Sequence, residues 1–356
     1  MSSPPSSRSR RWQTLVIGLL TLALVFLFLR SINLREAWQA IVDAHVGWIA
    51  AAIGASLLTY LLRSWRWQVL LAPIGRVSFR TSFRATVMGF AANLLLPARA
   101  GEFLRAYVIA RHEPVSATAA FATVIVERLL DLVTVLFLFA CGILFSGVDV
   151  GRPIEVAGWV AAAGATTGLA ILFLLAGHPE RVGRIADRLS ARLPAAAARI
   201  VGQLARTLAE GLKVMRSPRH FAVAIAWSVP VWLSIAIGIA FTTWAFDLRM
   251  TFIGSFLVVG YLTVGVTVPT PGSAGGFHYF YALALTQFFA APQSAAGAAA
   301  IVLHLVSFIP VTILGLIYMW QDGLTLGQVK AVGATSVDAG GPAGDAGGRA
   351  PVPRPH

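Results

Sequence analysis

From Val115 to Ser146 the chain carries only three charged residues, all within five positions: Glu127, Arg128 and Asp131. An apolar stretch of that length is longer than the roughly 20 residues a helix needs to cross a bilayer. Further apolar runs lie at 14–29, 47–62, 83–96, 156–176, 221–246, 252–268, 276–291 and 296–319. A water-soluble globule has no interior large enough for so many. The composition agrees: 57% of the 356 residues are hydrophobic and 12% are charged, about half the charge of a soluble domain, which is roughly 25%. The bilayer is therefore the solvent, and the chain is expected to be an integral, polytopic helical protein.

Runs 14–29, 47–62, 83–96 and 276–291 look short for a straight span, and 252–268 is borderline. Orientation follows from Lys and Arg, which accumulate on the cytoplasmic side. Arg8, Arg10 and Arg11 put the N-terminus there. So do Arg63, Arg66, Arg76, Arg80 and Arg84 for the stretch 63–84, which has no acid, and the basic stretch 178–220. The connections at 147–155 and 247–251 suit the outside. Counting crossings then makes 85–114 begin and end on the cytoplasmic side, and 252–291 begin and end outside. Each is read as a re-entrant hairpin, one breaking at Pro97 and the other in the segment 268–276.

The expected fold is all-α, with about six full spans plus two re-entrant helical hairpins in an inverted repeat, a plan in which broken helices meet near the midplane. Eight or nine plain spans joined by polar loops is the alternative. The domain plan is a basic disordered segment at 1–12, a transmembrane domain at 13–325 and a disordered Gly/Ala/Pro-rich tail at 331–356. The stretch 14–29 lacks a small-x-small cleavage site and reads as a retained helix. Both termini are expected in the cytoplasm, and the membrane is read as a bacterial-type plasma membrane. Within 178–220, Arg181, Arg184, Arg188 and Arg192 recur at helical spacing beside Val182, Ile185, Leu189 and Leu193. This pattern suits an amphipathic helix on an anionic leaflet, or a solvated hairpin packed on the bundle.

Three constellations carry candidate chemistry. After Pro97, Gly101 permits close backbone approach, and Arg99, Glu102 and Arg105 line a helix start; the arginines offer forked donors for phosphate oxygens. Glu127, Arg128 and Asp131 sit inside an apolar run, where an ionisable residue costs at least about 2.5–3.5 kcal/mol at the helix centre. Two acids and one base in that run face two bases and one acid in the first segment, so the expectation is a near-neutral network. The third constellation is Pro269, Pro271, Gly272, Gly275, Gly276 and His278, where a helix beginning near Gly275 presents free N–H groups and a positive dipole end to an anion. His304 and Gln287 lie in apolar runs nearby. No metal-spaced His/carboxylate cluster and no phosphate-binding GxxxxGK[ST] loop is present, and no cofactor, metal or nucleic-acid partner is expected. Membrane lipids are the expected partners; self-association is left open.

The motifs "NLLLPARAGEFLR" (93–105), "VIVERLLDL" (124–132) and "VPTPGSAGGFHY" (268–279), in this order, resemble the flippase-like family of lysylphosphatidylglycerol synthase transmembrane proteins. The likeness spans roughly residues 14 to 325. It implies a membrane domain that moves lipids between leaflets, with Arg99, Glu102, Arg105, Glu127, Arg128, Asp131, Pro269, Pro271 and Gly272 as signature positions. Stand-alone relatives are linked to glycolipid, hopanoid or polyprenyl pathways. Only about 36 residues follow Trp320, so no aminoacyltransferase domain and no synthesis of lysylphosphatidylglycerol is expected. Many relatives carry a glutamate where this chain has His278. The expected function is translocation of an anionic or polyprenyl-phosphate-linked lipid through a polar cavity between the hairpins, without enzymatic activity. A membrane-embedded transferase acting on a lipid-linked phosphate and a non-catalytic partner subunit are the alternatives.

Overall fold

The computed structural model describes residues 7–96, 99–176, 218–267, 270–325 and 327–329, together with residues 184, 188, 191, 198 and 202. Pro97, Pro269, Arg181, Arg192 and the tail 331–356 lie outside the described residues, as does most of 178–220. Every element described is helical: α1 (Ser7–Arg30), α2 (Leu34–Asp43), α3 (Val46–Leu71), α4 (Phe79–Leu95), α5 (Ala100–His112), α6 (Ala117–Phe145), α7 (Arg152–Ala176), α8 (Pro218–Ala245), α9 (Gly254–Thr267), a 3-10 turn (Pro271–Ser273), α10 (Gly276–Phe289) and α11 (Gln293–Gln321). Five helices are long and apolar enough to cross a membrane, and α1 with α2, bent by 76°, makes a sixth if counted together. The chain is a polytopic helical membrane protein.

Helix starts follow local chemistry. Ser78 caps α4 by accepting from the Thr81 N–H at 3.1 Å, and Ser116 caps α6 by accepting from Ala119 at 3.2 Å. Both satisfy backbone donors that a helix end leaves orphaned, which matters most where no water is available. Two sequence expectations move. Helix α1 starts at Ser7, inside the segment 1–12 expected to be disordered; arginine is a good helix former, so Arg8, Arg10 and Arg11 extend the helix. Helix α3 runs nine residues past Leu62, carrying Arg63 and Arg66 into the bundle.

Helices α4 and α5 form one antiparallel hairpin, and α9 and α10 form the other. Their 17, 13, 14 and 14 residues reach about 20–25 Å each at 1.5 Å per residue, short of the roughly 30 Å hydrocarbon core. They enter from opposite ends. At one end the Ser78 N–H donates to Glu113 at 3.1 Å, and Arg84 of α4 and His112 of α5 both face Asp322 after α11. At the other, the His45 N–H donates to Ala245 at 2.8 Å, and Gly254 packs against Phe289.

Glycines set the close approaches, and they recur in both halves. A Cβ on Gly101 would lie 1.8 Å from the Gly89 carbonyl oxygen, and one on Gly265 would lie 2.6 Å from that of Gly276. Each hairpin is thus joined backbone to backbone at a glycine. Each hairpin also packs on the long helix of the other half. Gly315 of α11 sits against Val87 and Ala91 of α4, and Gly142 of α6 sits against Phe256 and Leu257 of α9. The helix packing repeats in the same way: α3 with α8 at the centre, α4 on α11 and α9 on α6. This exchange between α3–α6 and α8–α11 is the contact pattern of an inverted repeat.

Candidate functional site

Four helices converge on one buried charged network. Helix α6 contributes Glu127, Arg128 and Asp131; α5 contributes Glu102 and Arg105; α3 contributes Arg63 and Arg66; α8 contributes Ser228 and Trp232. Arg105 grips Glu127 with both prongs, Nη1 to Oε1 at 2.9 Å and Nη2 to Oε2 at 3.0 Å. Its guanidinium lies 4.1 Å from the centre of the buried Trp67 ring, and Trp67 is itself fixed by donating to Thr123 at 2.9 Å. Arg66 donates to Asp131 at 2.7 Å and to Ser228 at 3.1 Å, and its Nη2 lies 3.5 Å from Glu127. Arg63 donates to Asp131 at 3.3 Å, between the rings of Phe90 and Trp232. Trp232 donates to the same carboxylate at 2.9 Å. Arg128 contacts Glu127, reaches Asp131 at 3.3 Å and lies 3.8 Å from Glu102.

The sequence placed Arg63 and Arg66 in a cytoplasmic stretch, and that assignment is corrected. Arg66 is fully buried and Arg63 nearly so. The expected near-neutral balance of three bases and three acids changes with them. Arg63, Arg66, Arg99, Arg105 and Arg128 stand against Glu102, Glu127 and Asp131, a formal surplus of two positive charges. Nε of Arg66, Arg105 and Arg128 has no hydrogen-bond acceptor among the described residues, nor has Arg66 Nη2. Unpaired buried donors are expensive to leave so.

Exposure is graded across the network. Side-chain exposure rises from 0% at Arg66 and Glu127, through 15% at Glu102 and 28% at Arg128, to 56% at Arg99. Arg99, at the N-cap position of α5, sits in the left-handed region, φ 52°, and among the described residues its one ion pair is with Glu102, at 3.9 Å. Asn93, at the end of α4, spans the break by accepting from the Gly101 N–H at 2.8 Å. The buried end of the network therefore ties α3, α5, α6 and α8 together, while its edge at the tip of the first hairpin presents cations.

The second hairpin holds a different site. Gly272 (φ 62°), Ser273 (φ 56°) and Gly275 (φ 81°) form the turn. The His304 Nε2–H donates to the Gly272 carbonyl at 2.8 Å, and the His304 ring lies 4.7 Å from that of His278, among Phe28, Phe277 and Phe308. Gly275 and Gly276 are buried, and Gly275 abuts Leu24 and Val25 of α1. Helix α1 therefore lies against the start of α10, where the anion site was expected. Pro271 is exposed. A Cβ on Gly272 would lie 3.7 Å from Leu94, so the two hairpin tips touch. No group of three or more metal-ligating side chains occurs among the described residues.

The profile of the family described as "Lysylphosphatidylglycerol synthase TM region" matches residues 14–315. One relative, "Glycosyltransferase AglD" of Haloferax volcanii, is 33% identical over 132 residues, 36% of this chain and 21% of that protein. Another, "UPF0104 membrane protein MJ1595" of Methanocaldococcus jannaschii, is 30% identical over 125 residues, 33% of this chain and 37% of that protein. The matches thus span about a fifth and over a third of these relatives.

Proposed function

The chain belongs to the lysylphosphatidylglycerol synthase transmembrane-region family, and on that premise we propose that it translocates a lipid with an anionic or phosphate-linked headgroup between leaflets. The observation that carries this reading is the positive surplus of the network, which is exposed at Arg99 and reaches solvent in part at Arg128, beside the first hairpin tip. Guanidinium forks match phosphate oxygens. Arg105 is not the free group, since Glu127 takes both its prongs; it positions α5 instead. The closed tips represent a state without passage. Separation of Leu94 from Gly272 opens a route along which the headgroup passes the exposed arginines while its tails stay in lipid. Hairpins that enter from opposite ends and meet at their tips suit such an alternating mechanism. The arginine-rich end of the bundle supports a reading in which both termini face the cytoplasm.

The test is leaflet transfer of labelled lipids by the purified protein in vesicles. Arg99→Gln is expected to slow transfer of anionic lipid about tenfold, one charge-assisted contact being worth about 1.5 kcal/mol. Transfer unchanged for every anionic and polyprenyl lipid sinks the proposal.

The name of the Haloferax relative favours a second reading. A membrane segment shared with a glycosyltransferase suits a chain that handles a glycosylated lipid phosphate, as cargo or as substrate. Sugar transfer from a nucleotide-sugar donor to a lipid phosphate by the purified chain selects the enzymatic form.

A further inference from the structure

The arginine-rich end of the bundle holds a cleft of about 730 Å³ between α3, the turn after it and the start of α8. Its apolar wall includes Trp65, Val223 and Trp227, with the two indole rings 6.1 Å apart. Trp65 also leans on Phe79 at 5.2 Å, which steadies the wall. The rim carries Arg76, Arg219 and His220, and among the described residues no carboxylate lines the cleft. The turn that presents Arg76 is pinned: the Gln68 side chain donates to the Val77 carbonyl at 2.8 Å, and Gly75 packs directly on Val115. Arg219 lies in the first turn of α8, where the helix dipole adds positive potential. Among the described residues no carboxylate pairs with Arg76 or Arg219, although Arg84 and Arg128 both find acids.

We propose that this cleft is a binding site for an anionic glycerophospholipid of the adjoining leaflet, separate from the charged network. The phosphate sits between the Arg76 and Arg219 guanidiniums, and an acyl chain lies along Trp65, Val223 and Trp227. Three features favour a lipid over a soluble anion. The volume is within the roughly 300–1,000 Å³ of ligand clefts. Two tryptophans line it, the residue type that membrane–water boundaries favour. The cations crown an apolar wall instead of an enclosed polar pocket.

The experiment is native mass spectrometry of the full chain released from nanodiscs of phosphatidylglycerol or phosphatidylcholine. Wild type is expected to retain phosphatidylglycerol in preference to phosphatidylcholine. Arg76→Gln/Arg219→Gln is expected to weaken retention about 30-fold, each basic group near an anionic surface being worth roughly fivefold. Arg80→Gln, an exposed arginine outside the cleft, is expected to leave retention unchanged. A second measurement does not depend on that variant: acyl-brominated phosphatidylglycerol is expected to quench wild-type tryptophan emission more than that of Trp227→Phe. Equal retention by wild type and the double variant, equal retention of the two lipids, or displacement by free glycerol phosphate overturns the proposal. Transfer between leaflets plays no part in these readouts, so they stand apart from the test of translocation.

Discussion

Arg105 of α5 and Glu127 of α6 form a two-pronged ion pair, 2.9 and 3.0 Å, with both side chains essentially out of contact with solvent. A buried pair of this kind adds little stability over an apolar equivalent, but breaking it strands a charge, at a cost of about 3–5 kcal/mol. Glu127 also faces Arg66 and Arg128, so its loss leaves positive charge unanswered in the most buried part of the network. Glu127→Gln is expected to unfold at markedly lower temperature in detergent than Glu102→Gln, whose carboxylate lies at the network's edge. Equal melting temperatures for the two would contradict this account of the network.

The first hairpin depends on the absence of a side chain at Gly101. An added Cβ would meet the Gly89 carbonyl oxygen at 1.8 Å, and backbone cannot yield as a flexible side chain does. Gly101→Ala is expected to exceed the 1–3 kcal/mol typical of overpacking and to abolish the monodisperse peak in size-exclusion chromatography. Gly265→Ala, with 2.6 Å available, is expected to be milder. Gly54→Ala, with open space around it, is expected to be silent.

The hairpins were legible in the sequence because their signal is additive: apolar run length, breaker residues and the parity of crossings each act locally. Glu127 and Asp131 were legible because charge inside an apolar run is costly wherever it lies. Arg63 and Arg66 were not. They sit where the apolar run stops, and arginine after a span ordinarily marks a loop. The contrary signal was faint: Trp65, Trp67, Val69, Leu70 and Leu71 continue the helix beyond them. What makes the two arginines internal is a partner, Asp131, on another helix, and pairing across elements leaves no mark on a local pattern. The same limit hid the contact of His278 with His304 and the position of α1 in front of Gly275.

His304 fixes the turn of the second hairpin through the Gly272 carbonyl, beside the place where the tips touch. Removing that donor frees the turn without touching the arginines. His304→Phe keeps the aromatic packing and loses the hydrogen bond, so melting is expected to change little. Cross-linking between cysteines placed at Leu94 and Ser273 reports the tip contact, and it is expected to slow in His304→Phe. An unchanged rate shows that the turn holds itself.

Glu113 couples pH to the anchoring of the first hairpin at the arginine-rich end. Burial alone raises its pKa, but hydrogen bonds from the Thr81 hydroxyl and from the Ser78 amide and hydroxyl outweigh this and hold the carboxyl below its ordinary value. The group therefore binds protons less readily in the folded state than in the unfolded state. By linkage its contribution is complete above the unfolded-state value and is lost as pH falls through the lower folded-state value. Glu113→Gln removes the charged acceptor facing the cap of α4. Its deficit in melting temperature relative to wild type is expected at neutral pH and is expected to shrink as the buffer is taken below the ordinary carboxylate range. A deficit that stays constant or grows in acid shows that the Ser78–Glu113 contact does not depend on the carboxylate charge.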